Sequence, residues 1–170
     1  MSNNHKVFAL FIMGFAALGG ILYGYDIGII AGALIFMKHG IALSLGQISI
    51  LVAAVLGGGS LATLVSGPLA DRLGRRTLIT TAAVLFILGI LILVSSHSFD
   101  GILIGRLIEG VGVGVITIII PLYLAEAAPA AIRGSGVTAF QLFLTAGILV
   151  AYLVALLFAP FHNWRGMFLC

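Results

Sequence analysis

Gly67-Pro68-Leu69-Ala70-Asp71-Arg72-Leu73-Gly74-Arg75-Arg76 decides the fold, because it concentrates charge in a chain that is otherwise apolar. Of the eight Lys/Arg and five Asp/Glu, four fall between Asp71 and Arg76. One long apolar run ends just before this cluster and another resumes at Thr77. The layout reads as a tight polar turn between two membrane-spanning helices, with its cations at the level of water and lipid phosphate. One acid and two glycines add no lipid affinity, so the Gly-x-x-x-Asp-Arg-x-Gly-Arg-Arg spacing asks for more than anchoring.

Composition leads the same way. The 170 residues are 62% hydrophobic and only 8% charged, whereas soluble domains carry about a quarter charged residues. The class is an all-α, polytopic membrane protein with lipid as its first partner. The net charge of +3 comes from helix ends and forms no basic face, which argues against nucleic acid as a partner. A single cysteine, Cys170, rules out an internal disulfide. The apolar run after Lys6 is too long for a signal peptide, contains Asp26 and lacks a small-residue cleavage site.

Apolar runs of at least about 18 residues place helices at about 7–36, 47–70, 77–94, 101–125 and 136–159, with a sixth beginning at about 165. Residues 1–170 thus read as a truncated N-terminal transmembrane domain, five spans and the first turn of another. Lys6, Arg72, Arg75, Arg76 and Arg133 fall on one side of these spans; Lys38 and Arg165 fall on the other. That bias puts the N-terminus and the Asp71 turn in the cytoplasm of a multi-pass protein of the plasma or inner membrane. Gly20, Gly24, Gly28 and Gly32 give the first helix a flat stripe for close packing, and Gly57 to Gly59, Gly110, Gly112 and Gly114 act likewise. These glycines lie inside spans with no preceding strand, so they are not a phosphate loop. Nothing resembles a nucleophile or metal cluster; the chain reads as a non-enzyme with no cofactor.

A charge inside hydrocarbon costs roughly 2.5–3.5 kcal/mol on insertion scales, so each needs a partner or a purpose. Three stand within spans: Asp26, Arg106 and Glu109. At 100° per residue Asp26 lies opposite the glycine stripe, with Tyr23, Gly19 and Ile30 on its face. Arg106, Glu109, Gly110 and Thr117 share one face of the fourth helix, and Thr138, Gln141, Thr145 and Tyr152 form a stripe on the fifth. Three polar faces imply one water-filled cavity between the helices. Arg106 is open to two readings, snorkelling to the outer headgroups or pairing with Glu109 one turn away. Gln141 either binds solute or knits helices together. Asp26 has no basic residue on its own face and must find a partner across the bundle, the best being Arg106. Pairing keeps such an acid ionised and isolation keeps it protonated, a switch that can couple protons to transport. Toward the inner ends of helices four and five, Pro129 interrupts the chain, and Glu126 and Arg133 bracket the turn. With Arg75 and Arg76 they could form a rim cluster that is cheap to break and remake.

These motifs resemble the N-terminal half of a sugar porter of the major facilitator superfamily. The resemblance rests on Tyr23-Gly24-Tyr25-Asp26, Gly67 through Arg76, and Gly105-Arg106 with Gly110, Gly112 and Gly114. It continues in Pro121-x-Tyr123-x-x-Glu126-x-x-Pro129-x-x-x-Arg133-Gly134, Gln141 and Trp164-Arg165. It implies sugar transport, with a monosaccharide and a proton as partners. Asp26 would be the protonation site, paired with Arg106, and an acid there favours symport over uniport. Gln141 would hydrogen-bond sugar hydroxyls, and Tyr23 would line the site where the family more often has Phe. Asp71, Arg72, Gly74, Arg75, Arg76, Glu126 and Arg133 would close the cytoplasmic side. Glu109 departs from the pattern: it stands where the family commonly has a small or apolar residue, so Arg106 can be neutralised within its own helix. The family has twelve spans in two rocking halves, each an inverted pair of three-helix repeats. This chain would therefore need its C-terminal half or a partner chain. Two other readings compete: an antiporter for other solutes, and a non-transporting membrane helper that associates through its glycine faces.

Overall fold

A computed structural model describes residues 3–40, 43–127, 133–161 and 164–169, with the side chains of 3–13, 16, 34–40, 127 and 133 set aside. Among the described residues every regular element is helical. The order is α1 (Asn3–Gly40), α2 (Leu45–Leu73), α3 (Arg75–Ser95), α4 (Phe99–Ala127), α5 (Arg133–Phe158), a 3-10 turn (Ala159–Phe161) and α6 (Trp164–Leu169).

Local chemistry sets the helix ends. Ser44 caps α2: its hydroxyl accepts from the Gln47 amide at 3.2 Å, and the Gln47 side chain accepts from the Ser44 amide at 2.9 Å. This reciprocal capping box starts the helix at Leu45, two residues before the apolar run alone would. At the other end Asp71 and Arg72 belong to the last turn of α2, and Arg75 and Arg76 open α3. The expected polar loop therefore shrinks to Gly74, whose φ of 82° and ψ of 146° suit glycine. Charged side chains continue a helix readily, and only the glycine leaves it. Ser98 begins α4, accepting from the Gly101 amide at 3.3 Å.

Among the described residues, α2, α3, α4 and α5 are long and apolar enough to cross a membrane, and the described part of α1 includes the apolar stretch Ala17–Ala33. In α4, 56% of the most apolar window is buried, against 17–28% in the other three. This makes α4 the central post. α2 and α3 pack along it, while α1 packs along α5, and α6 touches α1, α3 and α5. Leucines such as Leu61, Leu64, Leu91, Leu153 and Leu156 remain exposed, an apolar surface of the kind that lipid covers.

Close backbone approach at glycine holds the pairs together. The α1 stripe meets α5, where Gly28 abuts Ala151 and Gly24 abuts the Leu144 carbonyl. Gly58 of α2 faces the Leu107 carbonyl of α4, and Gly110 of α4 faces Val55 of α2. With lipid as solvent there is little hydrophobic gain between helices, so this van der Waals contact carries the packing. Two buried clusters result. One gathers Ile116, Ile119, Leu124, Phe140 and Leu144; the other gathers Ile29, Leu51, Ile102, Trp164, Met167 and Phe168. Along α4 the stretch between Ile102 and Ile116 carries Arg106 and Glu109.

A methyl group at Gly58 would lie 2.6 Å from the Leu107 carbonyl oxygen, whereas one at Gly57 would meet nothing within 4 Å. Gly58→Ala is therefore expected to cost about 1–3 kcal/mol through overpacking, while Gly57→Ala leaves stability unchanged. Thermal unfolding of the two variants in detergent compares them directly.

Candidate functional site

The three intramembrane charges meet at one nitrogen. Arg106 Nη1 donates to Asp26 Oδ1 at 3.0 Å and to Glu109 Oε2 at 2.8 Å. All three side chains are buried, Asp26 at 3% exposure, Arg106 at 1% and Glu109 at 0%. The guanidinium therefore points inward and does not snorkel. Sequence spacing explains half of this: Glu109 follows Arg106 by three residues and lies one turn along the same face of α4. The other half is tertiary. Gly105 and Gly110, flanking the pair, admit the backbones of α3 and α2 to close range, and α1 brings Asp26 from across the bundle. Phe168 of α6 completes the enclosure, its ring centroid 4.7 Å from the Arg106 guanidinium carbon, an attractive cation–π arrangement. Tyr25, next to Asp26, donates its hydroxyl to the Met167 carbonyl and ties α6 to α1. Neither Arg106 Nη2 nor Glu109 Oε1 has a hydrogen-bond partner among the described residues.

The remaining intramembrane polar residues gather elsewhere. Tyr23, Thr117, Thr138 and Gln141 line a cavity of about 660 Å³ between α1, α4 and α5, together with Ile27 and Pro121. Thr145 and Tyr152 are not among its walls. The single polar vestibule expected from the helix faces is thus divided in two: an open cavity with Tyr23 and Gln141, and an enclosed charge cluster beside it. The reason is rotation. Tyr23 turns toward the cavity against α4 and α5, Asp26 about 60° away around α1 turns to Arg106 of α4, and Ile27 borders both compartments. Asp26 borders two mainly apolar cavities instead, one of about 450 Å³ shared with Glu109 and one of about 170 Å³ shared with Arg106.

At the Gly74 end, Arg75 gathers the charges. Its Nε and Nη2 donate to the two Glu126 oxygens at 3.0 and 2.9 Å, Nη2 also lies 2.9 Å from Asp71, and Nη1 donates to the Ala70 carbonyl at 3.2 Å. The planar fork suits this two-oxygen grip. The structure does not bring Arg72 or Arg76 into it: both are exposed, and Arg76 lines a cavity with Phe15, Thr80 and Tyr123. The Arg133 side chain and Pro129 lie outside the described residues. Gly74 takes part through its backbone, as the turn that sets Arg75 against Asp71. Two participants went unread in the sequence, Phe168 and Tyr25. Tyr25 adjoins Asp26 in the quoted motif; Phe168 is one of many phenylalanines, and only the docking of α6 singles it out.

A family model described as sugar (and other) transporter matches residues 12–170. Over 160 residues the chain is 47% identical to the glucose transporter GlcP of Staphylococcus epidermidis, covering 94% of this chain and 35% of that protein. It is 42% identical over 163 residues to the D-xylose transporter of Levilactobacillus brevis, covering 95% and 36%. Among solved structures, it matches the major facilitator superfamily proton:xylose symporter XylE, known from E. coli. That match has a TM-score of 0.87 at 28% identity over 96% of this chain and 42% of that one. The chain spans about a third of the length of the curated relatives it matches.

Removing the shared cation tests the geometry itself. Arg106→Gln strands two buried carboxyl groups and is expected to destabilise the fold by about 3–5 kcal/mol. Arg72→Gln, at an exposed side chain without an ion pair among the described residues, should unfold at the wild-type temperature.

Proposed function

The chain belongs to the sugar transporter family, and from that premise we propose that it forms one wall of a sugar:proton symporter. Membership makes it an integral, multi-pass transport protein and not an enzyme, with the fold of part of the N-terminal half of a major facilitator. The observation that carries the proposal is adjacency. The cavity bearing Tyr23 and Gln141 and the buried pair Asp26–Arg106 are neighbours on α1, with Ile27 bordering both and Asp26 in the second.

Each group has a task its chemistry suits. The Gln141 amide both donates and accepts, matching vicinal hydroxyls of a monosaccharide, and it makes no hydrogen bond to another described side chain. Tyr23 supplies an aromatic face and a hydroxyl from the opposite wall. A volume of about 660 Å³ falls within the range of about 300–1,000 Å³ usual for small-molecule sites. Glucose and xylose, the sugars in the relatives' names, are the first candidates. The C-terminal half, on the same polypeptide or a partner chain, would supply the facing wall.

Asp26 is the proton carrier in this scheme. Ionised, it ties α1 to α4 through Arg106; protonated, it gives up that tie and frees the two helices to shift. At the inner rim Arg75 clasps Asp71 and Glu126, joining α2, α3 and α4. Exposed pairs of this kind contribute little to stability and are weak enough to open and re-form in each cycle. Gly74 sets the turn of that rim, Arg72 and Arg76 stand beside it outside the clasp, and Arg133 is assigned to it from the sequence motif. The excess of Lys6, Arg72, Arg75, Arg76 and Arg133 on that side over Lys38 and Arg165 on the other supports a cytoplasmic N-terminus in the plasma or inner membrane.

In vesicles carrying both halves, Asp26→Asn should abolish proton-driven sugar accumulation while sugar exchange continues; accumulation at the wild-type level would remove Asp26 from coupling. Gln141→Ala should weaken sugar binding about tenfold, the effect of roughly 1–1.5 kcal/mol of lost hydrogen bonding. Isothermal titration with glucose and xylose measures it, and unaltered affinity would return Gln141 to helix packing.

A further inference from the structure

Glu109 has no task in the scheme above, yet it is a fully buried acid in the same cluster. Its Oε2 accepts from the Arg106 nitrogen that also serves Asp26. Because both oxygens contact one atom, they lie within about 6 Å of each other. Cavities of mainly apolar lining flank the cluster on two sides, one bordered by Asp26 and Glu109, the other by Asp26 and Arg106.

Among the described residues the neighbouring elements add no further charge. α2, α3 and α5 present hydrocarbon to these cavities, Val55, Phe86 and Val154 among them. α6 contributes the Phe168 ring, and its Arg165 is directed to the Ser96 carbonyl. The hydroxyl of Tyr25 is taken by the Met167 carbonyl. The account is then one guanidinium and two carboxyl groups. With both acids ionised the cluster would carry a net negative charge in a low-dielectric interior, with two anions side by side. One bound proton makes it neutral. Geometry leaves a place for that proton: Glu109 Oε1 is buried and has no partner among the described residues, so it can hold the hydrogen while Oε2 keeps its bond from Arg106.

We infer that Glu109 is a second acid of the coupling site, and that Asp26 and Glu109 hold one proton between them across Arg106. The inference rests on the reading of Asp26 as the proton carrier. With the proton on Glu109, Asp26 is the counter-ion of Arg106 and α1 is tied to α4. With the proton on Asp26, Glu109 is the counter-ion, on the same helix as the arginine. The net charge is zero in both arrangements, since the same proton is present in each. Asp26 can thus leave α4 without exposing a bare guanidinium to hydrocarbon, the event that would otherwise hold the helices together.

Infrared spectroscopy of the purified chain in lipid tests this, reading the C=O stretch of a protonated carboxylic acid and its shift in D2O. The chain has only five acids, and neither substitution below touches Asp71, Asp100 or Glu126, so difference spectra isolate the pair. The wild type should show the band at neutral pH. Glu109→Gln and Asp26→Asn should each lose it, because the one remaining carboxylate is balanced by Arg106. A wild type without the band, which requires no variant to fold, or a band that survives in either variant, overturns the inference. No sugar flux enters the measurement, so its failure is distinct from a failure of Asp26→Asn to alter accumulation.

Discussion

A guanidinium held in the middle of a helix bundle, out of reach of water, constrains everything around it. Arg106 is tolerable there because carboxyl groups on two helices converge on one of its nitrogens and a phenyl ring covers its face. That convergence demands close packing of α4 against its neighbours, which the glycines at 105 and 110 allow. Charge and packing are therefore not independent features of this fold. The polar cluster selects the register in which α1 and α4 meet, since a rotation of either helix would strand an ion in hydrocarbon.

In the proposed function the same logic separates binding from energisation. The cavity with Tyr23 and Gln141 is open and moderately polar, suited to a solute that arrives with its own hydroxyls. The cluster beside it is buried among mainly apolar walls, where a charge's position would alter helix contacts most strongly. α1 is common to both, offering adjacent residues to each. Movement of this one helix would be felt on both sides, which is what coupling requires of a structural element.

Much of this was legible in the chain. Apolar runs located the helices because lipid imposes a length and a composition on every span. Charge scarcity then made Asp26, Arg106 and Glu109 conspicuous, and the need for a counter-ion pointed across the bundle. Three things were not legible. The start of α2 depends on the Ser44–Gln47 capping box, a local signal overlooked beside the hydropathy. The division of the polar faces into two compartments depends on helix rotation, which periodicity orders only within one helix. The recruitment of Phe168 depends on where a six-residue helix docks. The rim showed a similar limit: four basic residues looked equivalent in the Asp71 and Pro129 turns, but Arg75 alone among Arg72, Arg75 and Arg76 has the position and reach to grip Glu126.

The one-residue joint between α2 and α3 has a mechanical corollary. A linker that short stores no slack, so any tilt imposed on one of these helices is passed directly to the beginning of the other, like two rods sharing a stiff elbow. Whatever passage opens on that face of the bundle must do so by parting α2 and α3 jointly from other helices.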